Sequence, residues 1–327
     1  MDTKKVTLKD IAAATGLSVN SVSLALRGIR VSPQTRQRVQ QAAEELGYVG
    51  NAQASSIRSG ITRTVAVIVG DIANPYTAHV LKGCAHLLSN AQYSMIIFST
   101  EEDEELESQA IRSALRQNVD GVLISPVKKD SKNLALLAES GVPSVVFGSK
   151  SKYEHLASVC LDDEMGGYLA TEYLIRQGYQ RVLLINGPLQ VQGAHERMTG
   201  YLRAMEHYRL RTEPEDRICA DLKADTSWQE PLLKRLQQLK EPTALLAYSD
   251  MLALLIYSYC ADHDLSIGAI AGFDNALTML PAALRFPSVA EKDEGIASAA
   301  PRLLLDRMQN PQTAAQKRVL EVALHNV

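Results

Sequence analysis

Residues 7–26 read TLKDIAAATGLSVNSVSLAL, and this stretch decides the fold of the N-terminal part of the chain. Thr7 and Asp10 stand three positions apart, as in a helix-capping box, so a first helix is expected to begin after Thr7. Gly16 permits the left-handed conformation that often ends a helix. Ser18 is a preferred N-cap residue, so a second helix follows at once. Two short helices joined by such a tight turn predict a helix-turn-helix motif.

A third helix is predicted to start after Ser32, because Pro33 would occupy the first helical position, where proline is well tolerated. This helix is expected to stop at Gly47. We therefore assign residues 1–50 to a small all-α head. In a helix-turn-helix motif the second helix enters the major groove of DNA, so the head is predicted to bind double-stranded DNA.

The distribution of charge supports that prediction. The whole chain of 327 residues has a formal net charge of −3, which alone would argue against a nucleic-acid partner. Residues 1–63, however, contain nine Lys and Arg against four Asp and Glu, whereas the remainder contains 25 against 33. A basic head on an acidic body is the asymmetry expected of a DNA-binding domain attached to a different kind of domain.

A short segment, residues 51–63, follows the head and has little surface that could form a core. A helix of this length is marginal alone in water, so we interpret the segment as a hinge helix or linker that needs a partner to be ordered. Ile57 is a large apolar residue in polar surroundings, and it could insert between base steps in the minor groove. Packing of Ile57 against a second subunit is the alternative. Arg58 would lie near phosphates or in solvent.

From residue 64 onward, apolar runs alternate with segments of helical periodicity, which predicts parallel sheets covered on both faces by helices. The predicted strands are 64–69, 94–99, 121–125, 143–147, 157–161, 181–186, 243–248, 269–273 and 319–324. Residues 64–327 are too many for one doubly wound sheet, so two Rossmann-like subdomains are expected. The first would comprise about 64–150 and a late segment of about 276–300. The second would comprise about 157–275 and about 301–327.

Candidate DNA contacts lie around the start of the second helix. Asn20 could form a bidentate pair with adenine, and Val19 and Leu24 could contact a thymine methyl group. Thr7 and Ser18, together with first-turn amides, could bind phosphates. The alternative is a helical hairpin in an ordinary domain, since the bare pattern alone is weak evidence. The third helix, the charge asymmetry and the hinge together favour DNA contact.

Candidate ligand contacts in the body follow predicted strands, because ligands of α/β sheets bind beyond the carboxyl ends of the strands. After the first strand, Asp71 and Asn74 could hydrogen-bond hydroxyl groups, and Tyr76 could stack on the apolar face of a sugar. Asn74 could equally cap the next helix. Asp274 follows a later strand in the same way, with capping of a loop as its alternative.

Four further positions complete the predicted ligand site. Ser249 and Asp250 follow another strand, where Asp250 could also serve as a helix cap. Arg197 begins a helix after the strand 181–186 and could donate a fork of hydrogen bonds to ligand oxygens. His195 stands beside it, although a lone histidine near a helix start is more often structural.

Other classes of function find less support in the sequence. The chain contains no G-x-G-x-x-G, no G-x-x-x-x-G-K-[ST] and no H-E-x-x-H, so we predict no cofactor, no metal and no enzymatic activity. The four cysteines, Cys84, Cys160, Cys219 and Cys260, are far apart and are interpreted as reduced thiols. No signal peptide or membrane-spanning run is present, so a cytoplasmic, nucleoid-associated protein without membrane contact is expected.

Taken in order, these motifs resemble the lactose-repressor/galactose-repressor family of bacterial transcription regulators over nearly the whole chain. The resemblance rests on VTLKDIA (6–12), GLS (16–18), VSLAL (22–26), ELGY (45–48), ASSIR (54–58), DIANPY (71–76), Arg197 with Gly200 and Tyr201, SD (249–250) and GFD (272–274). It implies a homodimer that reads a near-palindromic operator, with Ser23 joining the DNA contacts. It also implies a core like periplasmic sugar-binding proteins and a small carbohydrate-like effector that modulates affinity. The resemblance places effector contacts at Asp71, Asn74, Tyr76, His195, Arg197, Ser249, Asp250 and Asp274.

Several positions depart from the pattern of that family. Leu24 stands where an arginine often reads guanine, so an operator sequence cannot be transferred. His195 and Leu222 replace an arginine and an aromatic residue of some sugar sites, so no particular sugar is implied. The sequence ends without the heptad tail that tetramerises some relatives, and a dimer is therefore expected. The alternatives are a sugar-binding receptor or a carbohydrate-modifying enzyme on the same α/β core.

Overall fold

The computed structural model describes residues 6–26, 28–48, 60–220, 226–278, 281 and 285–326. The chain divides into two compact units, residues 1–62 and residues 63–327. Ile57, Arg58 and Leu222 lie outside the described residues. Within the described residues, no helix is long and apolar enough to cross a membrane.

In the described part of the first unit, the helices are α1 (Leu8–Thr15), α2 (Val19–Leu26) and α3 (Pro33–Glu45). The predicted capping box begins α1, since the Asp10 carboxylate accepts a hydrogen bond from the Thr7 backbone N–H at 2.7 Å. Gly16 ends α1 with φ of 65°, which a glycine adopts without strain. The predicted helix-turn-helix fold of the head is thereby confirmed.

The core of this unit is small and apolar. Ile11 of α1, Val22 and Ala25 of α2, and Val39 and Ala43 of α3 are buried and pack in one cluster. Each helix contributes to the cluster, so none of the three can bury its apolar face without the other two. This packing holds α2 against its neighbours and leaves its opposite face at the surface.

The second unit is an α/β structure with helices α4 (Pro75–Asn90), α5 (Glu104–Arg116), α6 (Leu134–Ser140), α7 (Asp163–Arg176), α8 (Gln192–His207), α9 (Gln229–Gln238), α10 (Asp250–Asp262) and α11 (Ile296–Gln309). Its strands are β1 (Thr64–Val69), β2 (Ser94–Ser99), β3 (Gly121–Ile124), β4 (Ser144–Phe147), β5 (Ala157–Leu161), β6 (Arg181–Asn186), β7 (Arg217–Cys219), β8 (Thr243–Ala247), β9 (Ile270–Phe273), β10 (Ser288–Glu291), β11 (Lys317–Leu320) and β12 (Val322–His325). A single 3-10 turn, Pro214–Asp216, precedes β7.

These strands form two six-stranded sheets. Each sheet and the helices that cover it form a lobe, which we call the first lobe and the second lobe in chain order. The order in the first sheet is β11-β5-β4-β3-β1-β2, and all neighbours are parallel. The order in the second sheet is β12-β10-β9-β8-β6-β7, in which only the β10–β12 pair is antiparallel. The predicted fold class, a helix-turn-helix head with two doubly wound α/β subdomains, is confirmed.

The division of the chain between the lobes differs from the expected boundaries. Residues 157–161 were expected in the second subdomain, but β5 pairs with β4 in the first sheet. The late segments also differ in part. Strand β10, in the segment expected in the first subdomain, pairs with β9 of the second sheet. Strand β11, in the segment expected in the second subdomain, pairs with β5 of the first sheet, whereas β12 lies in the second sheet as expected. The physical reason is that strand pairing depends on contacts between segments that are distant in sequence, and the composition of a single strand does not reveal which neighbour it pairs with.

Close packing of two helices positions the residues described below. Helices α7 and α8 meet at glycines, since a Cβ added at Gly167 would collide with the Arg197 carbonyl oxygen. A Cβ added at Gly200 would likewise collide with the Glu164 carbonyl oxygen. The absence of side chains at these two positions lets the two helix backbones approach each other closely. This close approach fixes the position of Arg197 relative to α7.

We therefore expect Gly167→Ala to destabilise the protein, since over-packing of a buried contact costs about 1–3 kcal/mol. Urea denaturation of the full-length protein measures this loss. Gly193→Ala is the matched control, because the nearest atom to an added Cβ there is the Asp163 Oδ2 at 3.4 Å, an ordinary contact. Equal stability of the two variants would contradict the proposed close contact.

Candidate functional site

The first candidate site is the surface of α2 in the three-helix unit. Val19 is 41% exposed and Asn20 is exposed, whereas Ser23 and Leu24 are partly buried. The Ser18 hydroxyl accepts a hydrogen bond from the Ser21 backbone N–H at 3.0 Å and so caps α2. The predicted contacts Ser18, Val19 and Asn20 therefore lie at the N-terminus of α2, where the first-turn amides are also available to an anion, and Ser23 and Leu24 follow in the second half of the helix.

Thr7 lies at the start of α1 and is exposed. Its hydroxyl donates a hydrogen bond to the Asp10 carboxylate at 2.7 Å, so the capping interaction orients this side chain. Arg38 of α3 donates a hydrogen bond to the Thr15 carbonyl oxygen, which ties the third helix to the end of α1. Arg38 thus supports the packing of α3 against the helix-turn-helix motif.

The second candidate site is a cavity of about 150 Å³ at the carboxyl ends of the strands of both sheets. Asn74, Glu102, Ser125 and Gly148 follow β1, β2, β3 and β4 of the first sheet. Gln192 follows β6, Tyr248 follows β8 and Asp274 follows β9 of the second sheet. Such an edge is where α/β sheets bind ligands, because the loops there vary without disturbing the sheet.

A buried guanidinium group organises this cavity. The Arg197 Nε donates a hydrogen bond to the Asp163 Oδ1 at 2.8 Å, and its Nη1 donates to the Tyr248 carbonyl oxygen at 2.5 Å. The Nη2 lies 3.6 Å from the Asp274 Oδ1. The rings of Tyr248 and Phe273 lie 4.8 and 4.1 Å from the guanidinium carbon, at distances suited to cation–π interaction.

These contacts account for the electrostatics of the group. Burial alone would lower the pKa of Arg197, but the carboxylates of Asp163 and Asp274 raise it above its ordinary value. Asp274 itself is buried, and this burial raises its pKa to about 7, although Arg197 opposes the shift. Nearby Asp250 raises the pKa of Asp274 further. Asp274 thus changes its charge near neutral pH.

Asp274 also has an unusual backbone conformation. Its φ of 89° lies in the left-handed region, which costs a residue with a side chain of this size some free energy. Its backbone N–H donates to the Val289 carbonyl oxygen at 2.8 Å, so strand β10 holds the turn in place. A strained backbone that aims a buried carboxylate into a cavity is typical of a functional position.

Tyr76 forms a second polar group at the wall of the cavity. Its hydroxyl donates a hydrogen bond to the Glu291 Oε1 at 3.4 Å. Burial, followed by the negative charge of Glu291, raises the pKa of Tyr76 well above its ordinary value. Because Tyr76 begins α4 of the first lobe and Glu291 ends β10 of the second, the contact joins the two lobes.

Further hydrogen bonds join the lobes at the other side of the cavity. The Gln192 Oε1 accepts from the Ser149 hydroxyl at 2.9 Å and from the Lys150 backbone N–H at 2.8 Å. The Lys150 Nζ lies 2.6 Å from the Glu196 Oε1. Ser149 and Lys150 follow β4 of the first sheet, whereas Gln192 and Glu196 belong to α8. The lobes are therefore in contact around the cavity.

Four of the eight ligand residues predicted from the sequence lie in the wall of the cavity. Asn74, Tyr76, Arg197 and Asp274 line the cavity. Asn74 also caps α4, since its Oδ1 accepts from the Tyr76 backbone N–H at 2.9 Å. The capping alternative is therefore observed, and the ligand contact of Asn74 stays a prediction.

Four other predicted residues do not line the cavity. Asp71 is exposed and accepts from the Ala73 backbone N–H at 2.8 Å. His195 is exposed on α8. Ser249 caps α10 by accepting from the Leu252 backbone N–H at 3.2 Å. Asp250 is buried beside the cavity, where its Oδ2 accepts from the Ala276 backbone N–H at 2.9 Å.

Sequence reasoning missed several lining residues. Asp163 is the most important, since it holds Arg197, and it stands two residues after the predicted strand 157–161. Asp274 was predicted because it follows a strand, and the same criterion would have predicted Asp163. Tyr248 and Glu102 also follow strands, but Gln192 carries no such signal because it precedes Arg197 within a helix.

The geometry of the cavity is chemically suited to a polyhydroxyl ligand. Carboxylates accept hydrogen bonds from hydroxyl groups, a guanidinium donates to them, and tyrosine rings cover apolar faces. Among the described residues, no group of three or more His, Cys, Asp or Glu side chains is placed to hold a metal ion.

A three-helix DNA-reading head and an α/β body with this cavity define a ligand-responsive DNA-binding transcription regulator. Two family models match the chain. Residues 7–51 match the model for bacterial regulatory proteins of the lacI family. Residues 62–274, more than half of the chain, match the model for periplasmic binding proteins and the sugar binding domain of the LacI family. The chain belongs to the LacI family, and the resemblance drawn from the sequence is confirmed.

Individual relatives agree with this assignment. The chain is 26% identical over 321 residues to the HTH-type transcriptional repressor PurR of Aliivibrio salmonicida (strain LFI1238), covering 97% of this chain and 96% of PurR. It is 35% identical over 209 residues to the maltose regulon regulatory protein MalI of Escherichia coli (strain K12), covering 63% and 61%.

Solved structures show the same fold. A complex of the transcriptional regulator CelR with cellobiose has a TM-score of 0.70 at 27% identity, covering 98% of both chains. The lac repressor dimer bound to operator and the anti-inducer ONPF has a TM-score of 0.82 at 22% identity, again covering 98% of both chains.

The raised pKa of Asp274 predicts a pH effect on stability. Since its pKa is about 7 in the folded protein and near 3.8 ordinarily, the folded state retains a proton that the unfolded state releases. Stability should therefore fall as the pH rises from about 4 to 7. Asp274→Asn should reduce the slope of this part of the profile, as measured by melting temperature between pH 4 and 8, while Asp250, whose burial raises its pKa to about 6, retains a smaller slope of the same sign.

Asp71→Asn, at an exposed carboxylate, is the control and should keep the wild-type profile. An Asp274→Asn profile that runs parallel to the wild-type one would show that Asp274 does not titrate in this range.

Proposed function

We propose that the protein is a repressor that binds a near-palindromic operator as a homodimer and is regulated by a small carbohydrate-like effector in the cavity. The observation that carries the proposal is the buried Arg197, held by Asp163 and Asp274 where both sheets end. This ligand-binding geometry lies in a chain that also has a helix-turn-helix head. PurR is a repressor, and CelR is solved with cellobiose, which supports both halves of the proposal.

On the DNA side, Val19, Asn20 and Leu24 of α2 contact base edges. Thr7, Ser18 and Ser23 contact the sugar-phosphate backbone and set the register of α2 in the groove. Ile57 and Arg58, which lie outside the described residues, remain predicted contacts in and beside the minor groove.

On the effector side, Arg197 and Asp274 bind neighbouring hydroxyl groups, one as donor and the other as acceptor. Asn74 and Tyr76 contact the ligand from the first lobe, and the Tyr76 ring covers its apolar face. Asp163 orients Arg197. The effector does not contact four other predicted residues, His195, Asp71, Ser249 and Asp250. The role of Asp250 is electrostatic, because its negative charge raises the pKa of Asp274.

Because the effector contacts come from both lobes, its binding favours one relative position of the lobes over others. The predicted hinge, residues 51–63, connects the body to the head and carries this change to the DNA contacts. The effector thereby alters operator affinity by a coupling free energy of about 1–3 kcal/mol. The protein acts in the cytoplasm at the nucleoid and catalyses no reaction.

The DNA contacts are tested by Asn20→Ala in the full-length protein. Loss of one bidentate base contact should weaken specific binding by about 1–3 kcal/mol, roughly 5- to 150-fold. Binding to random duplex should change little, since phosphate contacts remain. Fluorescence anisotropy with a genomic fragment selected by the wild-type protein measures both.

Gln37→Ala, an exposed position on α3, serves as the control and should bind like wild type. An equal loss by Asn20→Ala on selected and random DNA would exclude base reading by Asn20.

The effector contacts are tested by Asp274→Ala. A panel of neutral monosaccharides is first screened by thermal shift against wild-type protein, because a ligand stabilises the state it binds. The variant should lose the stabilisation by any active compound, and the effect of that compound on DNA affinity, while its own DNA affinity stays within about twofold. An unchanged response would place the effector elsewhere.

A further inference from the structure

A second cavity, which we call the edge pocket, lies at the outer edge of the second lobe. Strand β7 is the last strand of the second sheet, and the edge pocket is lined by residues of both β7 and helix α9. Its wall includes Arg217 and Ile218 of β7 and Pro231, Lys234 and Arg235 of α9. None of the described residues that line it also lines the cavity at the carboxyl ends of the strands, so the edge pocket is a separate site.

The size and the apolar part of the edge pocket suit a small organic molecule. Its volume of about 330 Å³ falls within the roughly 300–1,000 Å³ that is typical of ligand pockets. Ile218 is 6% exposed and packs with Leu232 of α9 and with Trp228 in one apolar cluster. Ile218 and Pro231 therefore give the wall an apolar surface, which a short hydrocarbon frame can cover with a gain in free energy as both leave water.

Arg235 is held in place by a buried carboxylate. Asp216 is fully buried, and its Oδ1 accepts hydrogen bonds from the Arg235 Nη2 at 2.7 Å and from the Arg235 Nε at 2.9 Å. The Asp216 Oδ2 accepts from the Arg181 Nη1 at 2.8 Å. The charge of Arg235 is thus compensated by Asp216, and these charge-assisted hydrogen bonds fix the guanidinium as part of the wall.

Two other cations of the wall have no such carboxylate beside them. Within the part of the chain that the structure describes, neither Arg217 nor Lys234 forms an ion pair. Glu215 is the one carboxylate among the described residues that line the edge pocket. The two cations outnumber Glu215, so the wall attracts an anion. Because Arg217 lies on β7 and Lys234 on α9, an anionic group in the pocket has donors on both elements.

We propose that the edge pocket binds a small organic acid, with one or two carboxylate groups on a short hydrocarbon frame. The carboxylate accepts hydrogen bonds from the Arg217 guanidinium and the Lys234 ammonium group, and the hydrocarbon part covers Ile218 and Pro231. Inorganic phosphate would gain only the ionic contribution, and a neutral amide of the same shape only the apolar one. This site is independent of the proposed effector site, since the two share no described lining residue.

The experiment uses full-length protein without DNA at constant ionic strength, because added salt screens exposed charges. The probes are butyrate, succinate, glutarate and benzoate, each paired with its neutral amide, and inorganic phosphate. Titrations followed by nuclear magnetic resonance give the dissociation constants. We expect at least one acid to bind about tenfold more tightly than its amide, since a hydrogen bond to a charged group contributes more than one to a neutral group. The same acid should bind more tightly than phosphate.

Three results would overturn the proposal: binding by none of the acids, equal binding of every acid and its amide, or tighter binding of phosphate than of every acid. Arg217 would then have only the role of a charged side chain that protects the edge of a sheet from pairing with another chain.

Two lysine variants locate the bound acid. Lys234→Gln removes one cation of the edge pocket and should weaken binding of the acid by about fivefold, the upper end of what an exposed ion pair contributes. Lys240→Gln is the matched control, because Lys240 is exposed, follows α9 and does not line the edge pocket, and it should bind like wild type. Equal dissociation constants for the two variants would place the acid outside the edge pocket and overturn the proposal.

A third variant should have the opposite effect. Glu215→Gln keeps the size of the side chain and removes the carboxylate that repels the acid, so binding should strengthen by about twofold to fivefold. Damage to the fold would weaken binding, and a gain in affinity therefore distinguishes the removal of a charge from a loss of structure. Weaker or unchanged binding by Glu215→Gln would exclude recognition of the acid by the charge of the pocket.

Discussion

The buried ion pair between Arg197 and Asp163 is the interaction on which the cavity depends. A guanidinium that is 9% exposed is tolerated only because its neighbours compensate for the lost water. Asp163 begins α7 and Arg197 lies on α8, so the pair links the two helices that pack backbone to backbone at Gly167 and Gly200. The same guanidinium then reaches the loops after β8 and β9 through Tyr248 and Asp274. One charged group therefore sets the relative positions of four segments.

The two lobes are joined by three passages of the chain and by noncovalent contacts, and the cavity lies between them. The chain passes between the sheets after β5, after β10 and between β11 and β12. Two ion pairs lie at these crossings: the Arg318 Nη2 is 2.7 Å from the Glu294 Oε2, and the Lys292 Nζ is 2.8 Å from the Glu321 Oε2. Elsewhere at the cavity, the contact of Gln192 with Ser149 joins the lobes without a covalent connection. Hinge or shear closure of lobes around a ligand is one of the structural forms that allosteric transitions take.

Local signals in the sequence predicted most elements. The capping box of Thr7 with Asp10 and the alternation of strands with helices were sufficient for the head and the fold class, because caps and periodicity act over a few residues. Strand pairing was not predictable in this way. The placement of β5 and β10 in one sheet or the other depends on contacts between segments that are distant in sequence.

The difference between local signals and long-range contacts also explains which residues of the candidate site were predicted. Arg197 and Asp274 stand next to strand ends or helix starts, so the sequence pointed to them, but the position of His195 on the exposed side of α8 depends on how the helix is turned. Arg197 lies two residues after His195, a rotation of about 200° on a helix, so neighbours in sequence face opposite directions. A buried Arg197 implies an exposed His195 once the packing of α8 is known. The two carboxylates beside Arg197, Asp163 and Asp274, come from segments distant in sequence, so their arrangement around the guanidinium group emerges only in the folded chain.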